Sequence, residues 1–183
     1  MSEAARRFDA IAGAFTERVE AVPPDRWDSP APCDGWVARD VVRHLVEWIP
    51  GLFEAYAGRS MPIAVSVDDD PAGAWRSVHD QLAAWLADPA VASEEIEPPP
   101  GPMTIETAID MLITGDLLVH TWDLARATGL DEHLDAAEVH RMYEGMLPMD
   151  EALRQSGHFG PRVAVPDDAD EQTKLLAFTG RRP

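Results

Sequence analysis

Residues 104–129 read TIETAIDMLITGDLLVHTWDLARATG, and the reading of this stretch decides the fold. Thr104 suits a helix N-cap, because its hydroxyl can accept a backbone N–H of the first turn. Gly129 suits the position just past a helix end, where left-handed backbone favours glycine. A helix of about 25 residues, roughly 37 Å long, fits between them. At ~100° per residue, Ile105, Ile109, Leu112, Asp116, His120, Asp123 and Ala127 fall within about 60° of one direction. Two acids and an imidazole therefore interrupt the centre of an apolar stripe. Burying such charges costs on the order of several kcal/mol unless they are paired, hydrogen-bonded or bound to metal. Asp116 and His120, one turn apart, can converge on one ion.

The rest of the chain reads as further amphipathic helices. Phe8, Ile11, Phe15, Val19 and Val22 predict a first helix, ended by Pro23-Pro24. Residues 29–36, SPAPCDGW, are a loop dense in turn residues. Val37, Val41, Leu45, Trp48, Leu52 and Tyr56 predict a second helix, with Asp40 favourable in its first turn and Gly58 closing it. Pro50 within it predicts a kink or an earlier end. After a polar loop over 59–70, Trp75, Val78, Leu82, Trp85 and Leu86 mark a third helix following Pro71. Residues 94–102 read as an extended connector. Asp135-Ala136-Ala137-Glu138 has capping-box spacing and predicts a fifth helix to about Leu147. Residues 163–165 read as a short strand, and 170–179 as a last helix with Gly180 past its end. The pattern predicts an all-α fold, an antiparallel four-helix bundle with an additional helix and a short C-terminal tail. The expected organisation is one domain over 1–183, with a core of about 2–130 and an extension of about 131–183.

Composition narrows the function classes. The chain has 183 residues, with 15 Lys plus Arg against 33 Asp plus Glu and a net charge of −18. That balance argues against nucleic acid as a partner and against a polybasic grip on a membrane. It serves solubility instead. A single cysteine makes no intrachain disulfide and fits a reducing cytoplasm. No apolar run approaches a membrane span, and the N-terminus does not read as a signal peptide.

A metal site needs a third ligand, and His44 is the candidate, at the edge of the second helix's stripe between Val41 and Trp48. His44, Asp116 and His120 form a two-histidine, one-carboxylate set that leaves coordination positions open for water or substrate. The competing reading is a plain His–Asp hydrogen bond within the core. Asp123 reads as a fourth ligand, as a group orienting an imidazole, or as an ion-pair partner of Arg126 or Arg43. Cys33 reads as a small buried hydrophobe rather than a nucleophile. Trp36, Trp48 and Trp122 read as core aromatics, with pocket lining the alternative. His79 reads as surface or satisfied, His133 and His140 as solvated away from any acid cluster, and His158 as a loop residue without a role. Arg6-Arg7 and Arg181-Arg182 read as simple surface charge, with pairing the alternative.

Three stretches carry a family resemblance: residues 29–36 (SPAPCDGW), 40–45 (DVVRHL) and 115–129 (GDLLVHTWDLARATG). They resemble the DinB-like metal-binding superfamily, in the branch related to the N-terminal domain of mycothiol-dependent maleylpyruvate isomerase. The ending at 175–181, LLAFTGR, is similar to the tail of that branch. The resemblance implies a four-helix bundle holding a divalent metal, most often zinc or nickel, on His44, Asp116 and His120. Where the isomerase pattern has Glu, this chain has the shorter Asp116. It has only a tail in place of the isomerase's second domain, so maleylpyruvate itself is not implied.

The resemblance also implies an enzyme: a low-molecular-weight thiol, made more acidic by the metal, attacks a small electrophile, giving transfer or isomerisation. A metal-dependent hydrolase would use the same three residues. A non-catalytic module, with a structural or sensory metal and apolar helix faces that could pair as a homodimer, is the second class. A metal-free bundle with hydrogen-bonded Asp and His is the third.

Overall fold

The computed structural model describes residues 1–99, 101–155, 157 and 159–183. Pro100 in the connector and His158 lie outside the described residues. The chain is mostly helical. In order it forms α1 (Glu3–Ala21), α2 (Ala38–Ala57), α3 (Pro71–Ala87), α4 (Pro89–Ala92), β1 (Glu95–Ile96), β2 (Met103–Thr104) and α5 (Ile105–Ala108). A π turn over Ile109–Ile113 comes next, then α6 (Thr114–Thr128), α7 (Ala136–Met146), α8 (Asp150–Gln155) and α9 (Glu171–Phe178). β1 and β2 pair antiparallel, Ile96 opposite Met103, so the expected extended connector contains half of a small ladder.

α1 buries Phe8, Ile11, Phe15 and Val19, as their spacing predicts, and Ser2 Oγ accepts the Ala5 N–H at 3.1 Å. α3 buries Trp75, Val78, Leu82, Trp85 and Leu86. The Trp75 indole meets Phe15 edge-on at 4.9 Å and donates to Thr16 Oγ1 at 2.8 Å. α2 runs through Pro50 to Gly58, whose φ of +62° ends it. The earlier end does not occur. Proline removes one backbone donor, while Ile49 and Phe53 on either side of it are fully buried and hold both halves of the helix in the core. The buried face of α2 is Ala38, Val41, Val42, Leu45, Val46, Ile49 and Phe53. It is rotated from the predicted stripe, leaving Tyr56 exposed and Trp48 and Leu52 half-buried at the edge. α1 packs against α3 and α6, and α2 packs against the same two helices, so these four elements close a circuit around the core.

The long helical stretch begins as expected, with Thr104 Oγ1 accepting the Thr107 N–H at 3.1 Å. It then takes up a π turn, in which the Ile109 carbonyl receives both the backbone N–H and the hydroxyl of Thr114. A π turn takes up an extra residue and shifts the phase of the helix beyond it. Ile113, not Leu112, is therefore the fully buried residue at the join. α6 is buried on nearly every side, because α7 packs against it and Leu176 of α9 joins Val119 and Trp122 in a second apolar cluster.

α7 starts with Asp135 Oδ1 accepting the N–H groups of Ala137 and Glu138. The Glu138 carboxylate grips Arg7 of α1 rather than turning back on the cap, and Arg7 also pairs with Asp110. Arg7 is therefore a tie between elements, not simple surface charge. The expected strand at 163–165 is a correction. Val163 donates only to the Ala177 carbonyl at the end of α9, and no neighbouring strand pairs with this segment among the described residues. α8 was not expected from the sequence. α9 is capped by Asp170 and ends before Gly180, at φ +91°. Among the described residues, no helix is long and apolar enough to cross a membrane.

Candidate metal centre

α2 supplies His44, and α6 supplies Asp116 and His120. His44 Nε2 lies 3.3 Å from Asp116 Oδ2, and His120 Nε2 lies 3.4 Å from Asp116 Oδ1. One ligating atom from each residue falls within 4.8 Å of the other two. The structure therefore brings together the three residues singled out in the sequence. The short Asp116 reaches, because its two oxygens face one imidazole each. The side chains of His44 and Asp116 are 32% and 30% exposed, against 5% for His120, so the cluster is open to solvent at His44 and Asp116 and closed at His120.

Aromatic rings wall that opening. The Trp48 indole donates to Asp116 Oδ2 at 3.1 Å. Trp36 stands 5.2 Å from the His44 ring and stacks on His120 at 6.0 Å with planes 17° apart. The loop that carries Trp36 is tightly turned: Ala31 N–H donates to the Trp36 carbonyl, Trp36 N–H donates to the Cys33 carbonyl, and Gly35 sits at φ +79°. Trp36 and Trp48 thus belong to the site, whereas Trp122 is core, with Arg126 4.7 Å over its ring.

Behind His120 lies a buried ion cluster. His120 Nδ1 is 2.9 Å from Asp123 Oδ2, and Asp123 is fully buried. Arg181, from the tail, donates from Nη2 to Oδ2 at 2.7 Å and from Nε to Oδ1 at 3.2 Å. Cys33 Sγ is 3.6 Å from the same Oδ2. The ion-pair partner of Asp123 is therefore Arg181; Arg126 pairs with Glu132, and Arg43 with Asp40 and Asp68. Arg181 is a correction to its reading as surface charge. The sequence signals for it were an arginine directly after the glycine that ends an apolar helix and its place in the LLAFTGR ending.

These neighbours set the charges. Burial pushes the Asp116 carboxyl up, but His120 and then His44 outweigh it and hold the carboxyl below the usual range. Burial disfavours the His120 cation, yet Asp116 and then Asp123 raise its pKa to about 9 in the metal-free chain. Asp123 is desolvated as well, but His120 and Arg181 keep it low. Burial, then Asp123, push the Cys33 thiol up to about 12 despite Arg181, so it is protonated at neutral pH and unsuited to attack.

The donor set fits a divalent ion. Two imidazole nitrogens and a carboxylate suit zinc, nickel, iron or manganese. A carboxylate on the far ring nitrogen is the usual way to aim the other one at a metal. Cys33, His120 and Asp123 also lie close enough to share an ion. The Arg181 guanidinium already supplies the positive charge there, so that group is a complete ion cluster. His140, Glu144 and Glu171 form a third group, exposed at the surface, and correct the expectation that His140 has no acids near it. His79 rests on Phe8 beside Asp80, and exposed His133 bonds Asp131. Surface hollows of about 320 and 590 Å³ lie elsewhere, and none of His44, Asp116 or His120 lines either.

Comparison with known proteins assigns the chain to a family. No solved structure matches the chain. Two uncharacterized proteins from two strains of Mycobacterium tuberculosis are each 28% identical to it over 180 residues, covering 92% of each chain. The pattern of the mycothiol maleylpyruvate isomerase N-terminal domain matches residues 8–125, which hold His44, Asp116 and His120, and the chain belongs to that family.

Proposed function

We propose that this chain binds a divalent metal through His44 Nε2, Asp116 and His120 Nε2 and acts as a thiol-dependent transferase or isomerase on a small electrophile. The observation that carries the reading is the convergence of three ligating atoms within 4.8 Å at an opening walled by Trp36 and Trp48. A bound zinc or nickel would lower the pKa of a thiol at an open position, so that thiolate is present at neutral pH. The chain's own residues do the rest. Asp123 orients the His120 ring, Trp48 holds the Asp116 carboxylate, and the flat faces of Trp36 and Trp48 exclude water from one side. Membership of the mycothiol-related family supports a mycothiol-type thiol as cosubstrate.

The same reading takes 1–183 as one domain built on an antiparallel four-helix bundle of the DinB-like kind, with α1, α2, α3 and α6 as its helices. It places the protein in the cytoplasm, with a small molecule rather than nucleic acid or membrane as partner, and allows a homodimer. Metal analysis of protein purified without chelator tests the site. The reading expects about one equivalent per chain, lost in His44→Ala and His120→Ala. Less than about a tenth of an equivalent, unchanged by His120→Ala, would remove it. A panel of thiols and electrophiles then separates enzyme from binding module, because metal-dependent product forms only in the first case.

A further inference from the structure

We infer that the C-terminal tail completes this centre, with Arg181 as a positioning residue that, through Asp123, fixes which nitrogen of His120 faces the ligand cluster. The inference rests on the metal reading above and extends it to a residue well beyond the 8–125 segment that carries the family match.

The chemistry of the donors makes the argument. A guanidinium only donates hydrogen bonds. Arg181 reaches both oxygens of Asp123, from Nη2 at 2.7 Å and from Nε at 3.2 Å, so both oxygens are acceptors and the plane of the carboxylate is set. Oδ2 then accepts from His120 Nδ1 at 2.9 Å, which leaves the proton on Nδ1. When a metal displaces the second proton of the His120 cation, Nε2, 3.4 Å from Asp116, is the atom that presents its lone pair. Asp123 is fully buried, so Arg181 is also the cation that keeps this carboxylate from standing uncompensated.

The tail is built to deliver that side chain. Leu175, Leu176 and Phe178 anchor α9 in the core. Thr179 donates to the Leu175 carbonyl and Arg181 to that of Leu176, so the chain turns sharply at the helix end. Gly180 takes φ +91°, and a side-chain carbon there would come within 3.0 Å of the Gly160 backbone. Glycine takes without strain the turn that sends Arg181 to Asp123. The exposed side of the centre thus carries His44 of α2 and Asp116 of α6, and its buried side is backed by Arg181.

Zinc affinity, measured by competition with a chromophoric chelator, tests the inference together with the imidazole ¹H–¹⁵N signals of His120 in zinc-loaded protein. Arg181→Met should weaken zinc by about 10–100-fold and alter the Nδ1–H signal, while Arg181→Lys should weaken it by about 3–10-fold, because it keeps charge but not the two-point grip. If Arg181 acts through Asp123, adding Arg181→Met to Asp123→Asn should cost less than about a further twofold. Should Arg181→Met fail to fold, Arg181→Lys carries the same comparison. An Arg181 variant that binds zinc within about twofold of the unaltered chain, with the Nδ1–H signal unmoved, overturns the inference alone; so does an equal loss in both backgrounds. Failure of the unaltered chain to bind zinc overturns the metal reading, and this inference with it.

Discussion

The Trp48 indole N–H reaches Asp116 Oδ2 at 3.1 Å, the same oxygen that faces His44 Nε2 at 3.3 Å. A carboxylate one methylene shorter than glutamate is thereby held by two rings of α2, while its other oxygen faces His120 on its own helix. Trp48→Phe keeps an aromatic ring and removes the donor. A partner that orients a metal ligand is typically worth about 10–100-fold in affinity, so zinc affinity should fall by roughly tenfold or more, and the metal-free chain, which already makes this bond, should melt at a lower temperature as well. Unchanged affinity in a chelator competition would mean that Trp48 is only packing.

pH acts on the metal-free chain through two groups of opposite sign. His120 has its pKa raised from an ordinary 6.5 to about 9, so its contribution to stability is full below 6.5 and is lost as pH rises through about 9. Asp116 is held low, so its contribution is present above its ordinary 3.8 and is lost as pH falls through its lower folded value. Thermal melts of the metal-free chain should therefore weaken from pH 6.5 toward 9. Zinc binding must expel the His120 proton, so apparent affinity should rise by about tenfold per pH unit between roughly 6 and 8. Affinity that is flat across this range would show that His120 does not ligate through a nitrogen protonated in the metal-free state.

Gly180→Ala places a side chain at φ +91° against Gly160. The strain should destabilise the chain by more than about 1 kcal/mol. Because Arg181 is the next residue, zinc affinity should fall as well. Denaturant unfolding and zinc titration of the same variant check both; a loss of stability with intact affinity would separate the turn from the site.

Leu45 is fully buried one residue after His44 and carries α2 into the core. Leu45→Ala should cost about 2–5 kcal/mol by urea unfolding. A cost below about 1 kcal/mol would mean that α2 is held by contacts other than this face.

Much of this was legible because spacing reports burial. The stripes of α1 and α3, the caps at Thr104 and Asp135, and the glycine stops at Gly58 and Gly129 obey local rules that tertiary packing did not override. His44, Asp116 and His120 stood out because charge on an apolar stripe demands a partner. Three things did not show. The π turn at Ile109–Ile113 shifts phase without a proline or glycine to announce it. The strand-like pattern at 163–165 met the end of a helix instead of another strand, so its periodicity had no ladder to satisfy. Arg7 and Arg181 looked like surface charge because their acidic partners, Glu138 and Asp123, are distant in sequence.

The most direct test is a crystal grown with zinc or nickel and measured at the metal's absorption edge. The account predicts one strong anomalous peak about 2.0–2.2 Å from His44 Nε2, an Asp116 oxygen and His120 Nε2, with at least one coordination position not filled by protein. Those three side chains apart, with no peak between them at saturating metal, would contradict it.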